Sequence, residues 1–308
     1  MGELREVADR VLAWLPPTGG WGWSNAGLIV DGGDGLLVDT LFDLKLTAEM
    51  LAAMRSAAPD AEIGTVVNTH ANGDHCYGNQ LLGGSRIVAT RRAAAEMEHV
   101  PPSRLAGLLA STAAMGTVGD YVQEIFGAFE FDGIELTLPT DTFDDRLALT
   151  VGDTAVELVE LGPAHTEGDL VALVPARRTL FTGDLLFIGG HPIVWAGPVA
   201  NWIAALDRIL AMDVDVIVPG HGPVTDKTGV ADVRAYFVEL LDAARALYEE
   251  GLAPLDAARR LRIDRAAAWG ESERLVVNVA ACFRDFGATD VAVDGFAAMA
   301  ALASEVKR

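Results

Sequence analysis

Between Val67 and Gln80 the chain reads VNTHANGDHCYGNQ, which packs two histidines, an aspartate and an asparagine into His70-Ala71-Asn72-Gly73-Asp74-His75. So many polar, ligand-competent groups cannot enter an apolar interior without partners. The apolar run before them, IGTVVNTH, has the composition of a buried strand that ends at His70. The fold must therefore deliver this cluster to a polar site at the end of a strand, as sheet scaffolds do with functional loops.

Three more segments have the same character. GPAHTEGD carries His165, LFTGDLLF carries Asp184 and VPGHGP carries His221, each beside small or turn-forming residues at or after a strand-like run. One strand-end histidine is ordinary, but four of the chain's six, with two aspartates, form a ligand set. Imidazole and carboxylate together suit zinc, and also iron or manganese.

The remaining sequence places these segments on an α/β frame. AGLIVDGGDGLLVDT predicts two strands around a glycine turn, and residues 44–58 have helical periodicity that ends before Pro59. SRIVAT is a strand. Residues 93–131, rich in Ala, Met and Leu and broken by Pro101-Pro102, read as two or three short helices inserted between strands and covering a site. RLALTV, AVELVELG, DLVALVP, TLFTGDLLF and VDVIVPGH follow as strands, with a helix over 199–212; from 228 to 308 the pattern is helical.

Composition narrows the function. With 44 acidic against 23 basic residues the formal charge is −21, a field that repels nucleic acid and anionic membranes. A bound divalent metal can invert that potential locally, so a small anionic substrate stays open. The N-terminus lacks an export signal, no run of about 18 apolar residues marks a span, and Cys76 and Cys282 are too few for a disulfide framework. A cytoplasmic chain is the expectation.

The ordered set H-x-N-G-D-H, GPAHTEGD, FTGD and PGHGP resembles the metallo-β-lactamase superfamily, over roughly residues 4–225. The resemblance implies an α/β, four-layer αββα sandwich, here a single domain over 1–308 with the helical insertion at 93–131 and the helical segment 228–308 packed on it. It implies that His70 and His165 hold one metal, that Asp74, His75 and His221 hold a second, and that Asp184 bridges them. Asn72 departs from the family pattern, which has a histidine there. A carboxamide is a poorer zinc ligand than imidazole, so Asn72 weakens the first site. One zinc on Asp74, His75 and His221, two zincs with Asn72 or water filling the gap, or iron on His70, His165 and Asp184, as in persulfide dioxygenases, all remain open.

The implied reaction is zinc-dependent hydrolysis of a thioester, lactone or ester, by a metal-activated hydroxide that Asp74 orients as catalytic residue. The middle and C-terminal parts also resemble the cyclases of aromatic polyketide pathways, which makes metal-assisted ring closure or thioester cleavage the alternative. The expected partner is a small-molecule or carrier-tethered acyl substrate. Trp21, Trp23, His191 and Trp195 are the expected substrate-lining residues, with Met97 and Met115 as further candidates from the insertion. His99 is expected on a surface helix and Cys76 as an inert buried thiol. The C-terminal helices offer either a core cover or a dimer contact.

Overall fold

A computed structural model describes residues 2–289, 291 and 294–306. The ends of the expected C-terminal helical segment, 307–308, and residues 290, 292 and 293 within it lie outside the described residues.

The first sheet begins with β1 (Glu3–Ala8), β2 (Val11–Leu15), β3 (Ala26–Asp31) and β4 (Asp34–Val38). Gly32 and Gly33 both adopt positive φ, +61° and +95°, as the two-residue β3–β4 hairpin requires. Next comes α1 (Leu44–Ala57), whose N-terminus is capped by Asp43 Oδ1 accepting the Leu46 N–H at 2.7 Å. Then follow β5 (Glu62–Val67), the single turn α2 (Gly73–Cys76), β6 (Arg86–Thr90), α3 (Arg91–Met97), α4 (Pro102–Ser111), α5 (Thr117–Phe126) and the edge strand β7 (Asp141–Phe143). The seven strands lie in sequence order, antiparallel from β1 to β4 and parallel from β4 to β7.

The second sheet contains β8 (Arg146–Val151), β9 (Thr154–Glu160), β10 (Leu170–Val174) and β11 (Thr179–Phe181); α6 (Val199–Ala211) then leads to β12 (Val216–Val218), parallel to β11, in the order β12-β11-β10-β9-β8. The chain ends in α7 (Lys227–Glu249), α8 (Pro254–Arg260), α9 (Leu275–Asp285) and α10 (Gly295–Val306).

Strand alternation sorts the core into layers. Val11, Ile29, Leu36 and Val67 of the first sheet meet Val156, Leu158, Leu170 and Ala172 of the second between the sheets. Leu28, Leu37 and Val66, on the opposite face, pack on Met50, Leu51 and Met54 of α1. Val159, Val171, Leu180 and Ile217 pack outward on α6, α7 and α9, in a core that reaches Met299 and Leu302 of α10. The architecture is the expected αββα sandwich with helical additions.

Local expectations needed adjustment. TLFTGDLLF and VDVIVPGH are strands only over Thr179–Phe181 and Val216–Val218, and Gly183, at φ +50°, turns the chain immediately before Asp184. The helical insertion starts at Arg91, because Thr90 Oγ1 caps α3 directly at the end of β6 by accepting the Ala93 N–H. The short strand β7 had no sequence signal of its own.

Candidate metal centre

The C-terminal ends of β4, β5, β9, β11 and β12 all open onto one edge of the sandwich, because β9 and β11 both run antiparallel to β10, and β11 and β12, like β4 and β5, are parallel. His70 lies three residues past β5, His165 in the β9–β10 connection, Asp184 in the turn after β11 and His221 just past β12. Asp74 and His75 ride on α2, which Asn72 precedes as N-cap without a side-chain capping bond, so its amide faces the centre instead.

The six side chains meet there. Asp184 Oδ1 lies 3.1 Å from His75 Nε2 and 3.3 Å from His221 Nε2, while its Oδ2 lies 3.3 Å from His165 Nε2 and 3.8 Å from His70 Nε2. Asp74 Oδ2 is 3.3 Å from His221 Nε2 and 3.8 Å from His75 Nε2. The structure thus brings together two ligand groups, His70–His165–Asp184 and Asp74–His75–His221, all of them buried, with the Asp184 carboxylate reaching both.

Each imidazole is turned by its other nitrogen. Nδ1 of His70 meets Thr69 Oγ1 at 3.0 Å, that of His75 meets Asp39 Oδ2 at 2.9 Å, that of His165 meets the Ile193 carbonyl at 2.8 Å, and that of His221 meets the Trp23 carbonyl at 3.1 Å. With Nδ1–H donated in all four, every Nε2 points inward, the orientation that metal ligation needs. Asp39 anchors half of this arrangement: besides His75, it accepts the Thr69 N–H and hydroxyl, each at 2.7 Å.

Three buried atoms, His70 Nε2, His75 Nε2 and Asp184 Oδ1, make no well-aligned hydrogen bond, although the last two stand 3.1 Å apart. Orphaned polar atoms this deep are costly, and their convergence on one point fits a divalent cation. Electrostatics agrees. Burial and neighbouring imidazoles push His70 down, and burial pushes His165 down, so both stay neutral donors. Burial opposes charge on His75 and His221 as well, but the surrounding carboxylates outweigh it and hold His75 well above its usual range and His221 at about 9. The same negative field favours a metal ion.

Asn72 Nδ2 donates to His165 Nε2 at 3.1 Å. The amide occupies the first group's side of the centre and engages the lone pair that a metal there would need. The second group has two imidazoles, Asp74 and Asp184 Oδ1, so it is the fuller of the two.

The centre forms the floor of a cavity of about 640 Å³, whose walls include Trp21, Phe126, Leu105, Phe187, Trp195 and Arg274. Trp21 and Trp195 both line it, 6.4 Å apart between ring centroids. Two expectations need correcting. Trp23 does not line this cavity; its ring packs on Phe129 and faces a neighbouring pocket, and its carbonyl rather than its indole serves the centre. His191 does not line it either, because its ring is buried against Tyr236 and Trp269, with Nδ1 3.1 Å from the Tyr236 hydroxyl. Met97 and Met115 are also absent from the lining, Met97 being fully buried in the insertion's own core. His99 is exposed. Cys76 is buried, with burial pushing its thiol well up, as befits an inert residue.

Sequence reasoning missed Asp39, Thr69 and Arg274. Asp39 directly follows β4, and its bearing on the site comes from the pairing of β4 with β5, the strand that delivers His70, which no local pattern announces; Arg274 had no signal either.

Residues 19–221 match the profile of the metallo-beta-lactamase superfamily. The chain belongs to that superfamily. As a member, it is 26% identical over 223 residues to the linear primary-alkylsulfatase of a Pseudomonas species, a match covering 64% of this chain and 41% of that one. It is 24% identical over 197 residues to the 2,4-dinitroanisole O-demethylase subunit alpha of a Nocardioides species, covering 63% and 51%. This superfamily member thus spans about half the length, or less, of these two relatives. Among solved structures, the stereoselective inverting sec-alkylsulfatase Pisa1 from a Pseudomonas species superposes with a TM-score of 0.66 at 20% identity, over 93% of this chain and 50% of that one; at that identity the likeness concerns the fold. Among the described residues, no helix is long and apolar enough to cross a membrane.

Proposed function

We propose that this chain is a zinc-dependent hydrolase of a carboxyl derivative, namely a thioester, lactone or ester, presented as a small molecule or on a carrier. The observation that carries this reading is the convergence of two buried ligand groups, His70–His165–Asp184 and Asp74–His75–His221, beneath a largely apolar cavity that Asp74, His165, Asp184 and His221 line. Asp74, His75, His221 and Asp184 would hold the better-furnished metal, with His70, His165 and Asn72 as the weaker set. When bound, zinc supplies Lewis acidity towards a carbonyl and acidifies water.

The chain's own residues supply the rest. The Asp74 backbone carbonyl is pinned by the Ser24 hydroxyl, and its carboxylate stands at the cavity floor, placed to accept a proton from an attacking water. Trp21, Phe126 and Leu105 hold the apolar part of a substrate and exclude water around it. Among the titratable lining residues, Tyr77 donates its hydroxyl to the Val100 carbonyl and Glu96 accepts the Glu167 N–H. A leaving group that departs without a strong acid, such as a thiolate or activated alkoxide, suits a site in which the Tyr77 hydroxyl proton is already donated to the backbone.

A second reading, sulfate-ester hydrolysis, is favoured by the alkylsulfatase likeness together with the buried cation Arg274 in the cavity wall. The test is metal analysis of protein purified without added metal, followed by a panel of aryl thioesters, lactones, aryl esters and alkyl sulfates. Zinc, with chelator-sensitive turnover of a carboxyl derivative, is expected. Turnover of the sulfates alone would replace the first reading by the second, ring-closed products from a tethered polyketide would move it to the cyclases, and iron with oxygen uptake and no hydrolysis would overturn both hydrolytic readings.

A further inference from the structure

In a chain with 44 acidic and 23 basic residues, a buried guanidinium without a close carboxylate is unusual. Arg274, whose side chain is only 3% exposed, is such a group. It ends the short turn Ser272–Arg274 that leads into α9 and forms part of the wall of the metal cavity. One N–H bond is accounted for, from Nη1 to the His191 carbonyl at 2.8 Å. Its ion-pair oxygen, Glu271 Oε2, stands 4.0 Å away, and Nε is buried without a partner. Arginines at the surface do better: Arg178 and Arg234 each clasp an aspartate through two nitrogens.

The group is held firmly despite this. Its guanidinium carbon lies 4.2 Å from the Trp21 ring centroid and 5.3 Å from that of Phe187. Trp21 is fixed in turn by its indole N–H, which donates to Glu273 Oε1 at 3.0 Å, an oxygen that also accepts the Tyr121 hydroxyl. Phe187 stacks nearly parallel on His221, with 5.0 Å between centroids. The cation therefore stands on two rings, one of which rests on a ligand of the centre. Burying a charge is costly unless ionic or hydrogen-bonding partners compensate, and a rigid fork of donors matches two oxygens of a carboxylate or of a sulfate group.

We propose that Arg274 is the specificity residue of the cavity and that it binds an oxyanion, carboxylate or sulfate, carried by the substrate. The substrate is then an amphiphile: an apolar body against Trp21, Phe126 and Leu105, with a negative group on Arg274. As an assignment of the substrate of the proposed hydrolase this rests on that reading, but as a binding site it can be tested apart from it.

The probes are 4-phenylbutyrate, its neutral amide 4-phenylbutyramide, and 3-phenylpropyl sulfate. They are titrated calorimetrically into the whole 308-residue chain after treatment with a chelator, which removes metal–anion contacts, with circular dichroism as a check on folding. The acid is expected to bind about ten- to a hundredfold more tightly than the amide, the range for charge-assisted bonds to an arginine. Arg274→Met should bring the ratio close to one, and Arg274→Lys should restore part of it. Equal binding of acid and amide to the wild type would overturn the proposal, as would a ratio that survives Arg274→Met. Should the methionine variant fail to fold, Arg274→Gln takes its place, because Arg104 and His221 also line the cavity and only a change at position 274 assigns the anion to it. A larger ratio for the sulfate than for the carboxylate identifies the anion as the sulfate ester group, and the reverse identifies it as a remote acid. If the metal-loaded chain hydrolyses neither class, the hydrolase reading falls while the binding ratio still decides the role of Arg274.

Discussion

Replacing Asp39 by asparagine exchanges one buried oxygen for an NH2 group and tests how the ligand histidines are aimed. In the wild type, the carboxylate accepts three hydrogen bonds: from the Thr69 N–H, the Thr69 hydroxyl and His75 Nδ1. Asparagine can keep its carbonyl oxygen on the Thr69 N–H, but its nitrogen cannot accept from His75 or from the Thr69 hydroxyl. His75 must then take the other tautomer, with the proton on Nε2, where the metal should bind. The Thr69 hydroxyl, released from Asp39, can donate to His70 Nδ1, 3.0 Å away, and push that ring towards the same wrong tautomer.

One atom therefore misdirects a ligand from each group. Loss of an outer partner of a metal-bound histidine typically weakens metal binding about 10- to 100-fold, so zinc affinity should fall by at least that range. The backbone does not confound the test, because Asp39 sits at φ +62°, a left-handed conformation that asparagine tolerates as well as aspartate. Competition with a chromophoric chelator gives the affinity, and far-UV circular dichroism reports the fold. An Asp39→Asn chain that folds normally and binds zinc within twofold of wild type would refute the tautomer argument.

Other substitutions probe the same edge of the sandwich. Asn72→His should raise zinc content from about one to about two per chain, measured by elemental analysis, whereas two zincs in the wild type would mean that Asn72 only tunes the first site. A Cβ at Gly220 would stand 2.0 Å from Asp184 Oδ1 and 2.6 Å from the Gly183 carbonyl carbon. Gly220→Ala should thus displace the bridging carboxylate, reducing metal content and costing about 1–3 kcal/mol of stability in denaturant titration. Burial and the Arg274 charge hold His191 down at about 4, below its ordinary 6.5. The unfolded chain then binds the extra proton between these values, so stability is complete above pH 6.5 and falls as pH drops towards 4, by about 3 kcal/mol. His191→Gln should flatten that part of the pH–stability curve.

The parts of this molecule legible in sequence were those whose physics is local. A two-glycine hairpin, a helix stopped before Pro59 and a cluster of ligand residues on strand ends each declare themselves within a few residues. The unread parts depend on contacts across long separations. The role of Asp39 appears only when β4 and β5 are seen side by side, and Arg274 reaches the cavity from beyond the segment that carries the ligand motifs. Trp21 and Trp23 are indistinguishable in the string GGWGWSNAG, yet one ring faces the centre and the other Phe129. His191 looked like a mouth residue because it follows Asp184 closely; Tyr236 and Trp269, far along the chain, draw its ring into the core.

The charge distribution yields a kinetic consequence. The chain as a whole carries −21, while the cavity wall holds a buried arginine and the floor holds a ligand set suited to divalent cations. An anionic substrate is then repelled at long range and attracted only once inside. Long-range repulsion is screened over about 10 Å at 0.1 M salt, whereas contact with a buried group is screened much less. For an anionic substrate, kcat/KM should therefore rise with ionic strength, by about two- to tenfold between 10 and 150 mM, the reverse of the usual steering effect. A neutral ester of the same shape should be almost insensitive to salt. Stopped-flow measurement on such a pair decides the matter: a rate constant for the anion that falls with added salt would mean that the field at the cavity mouth is positive, and that the cavity's cationic character extends outward beyond the arginine.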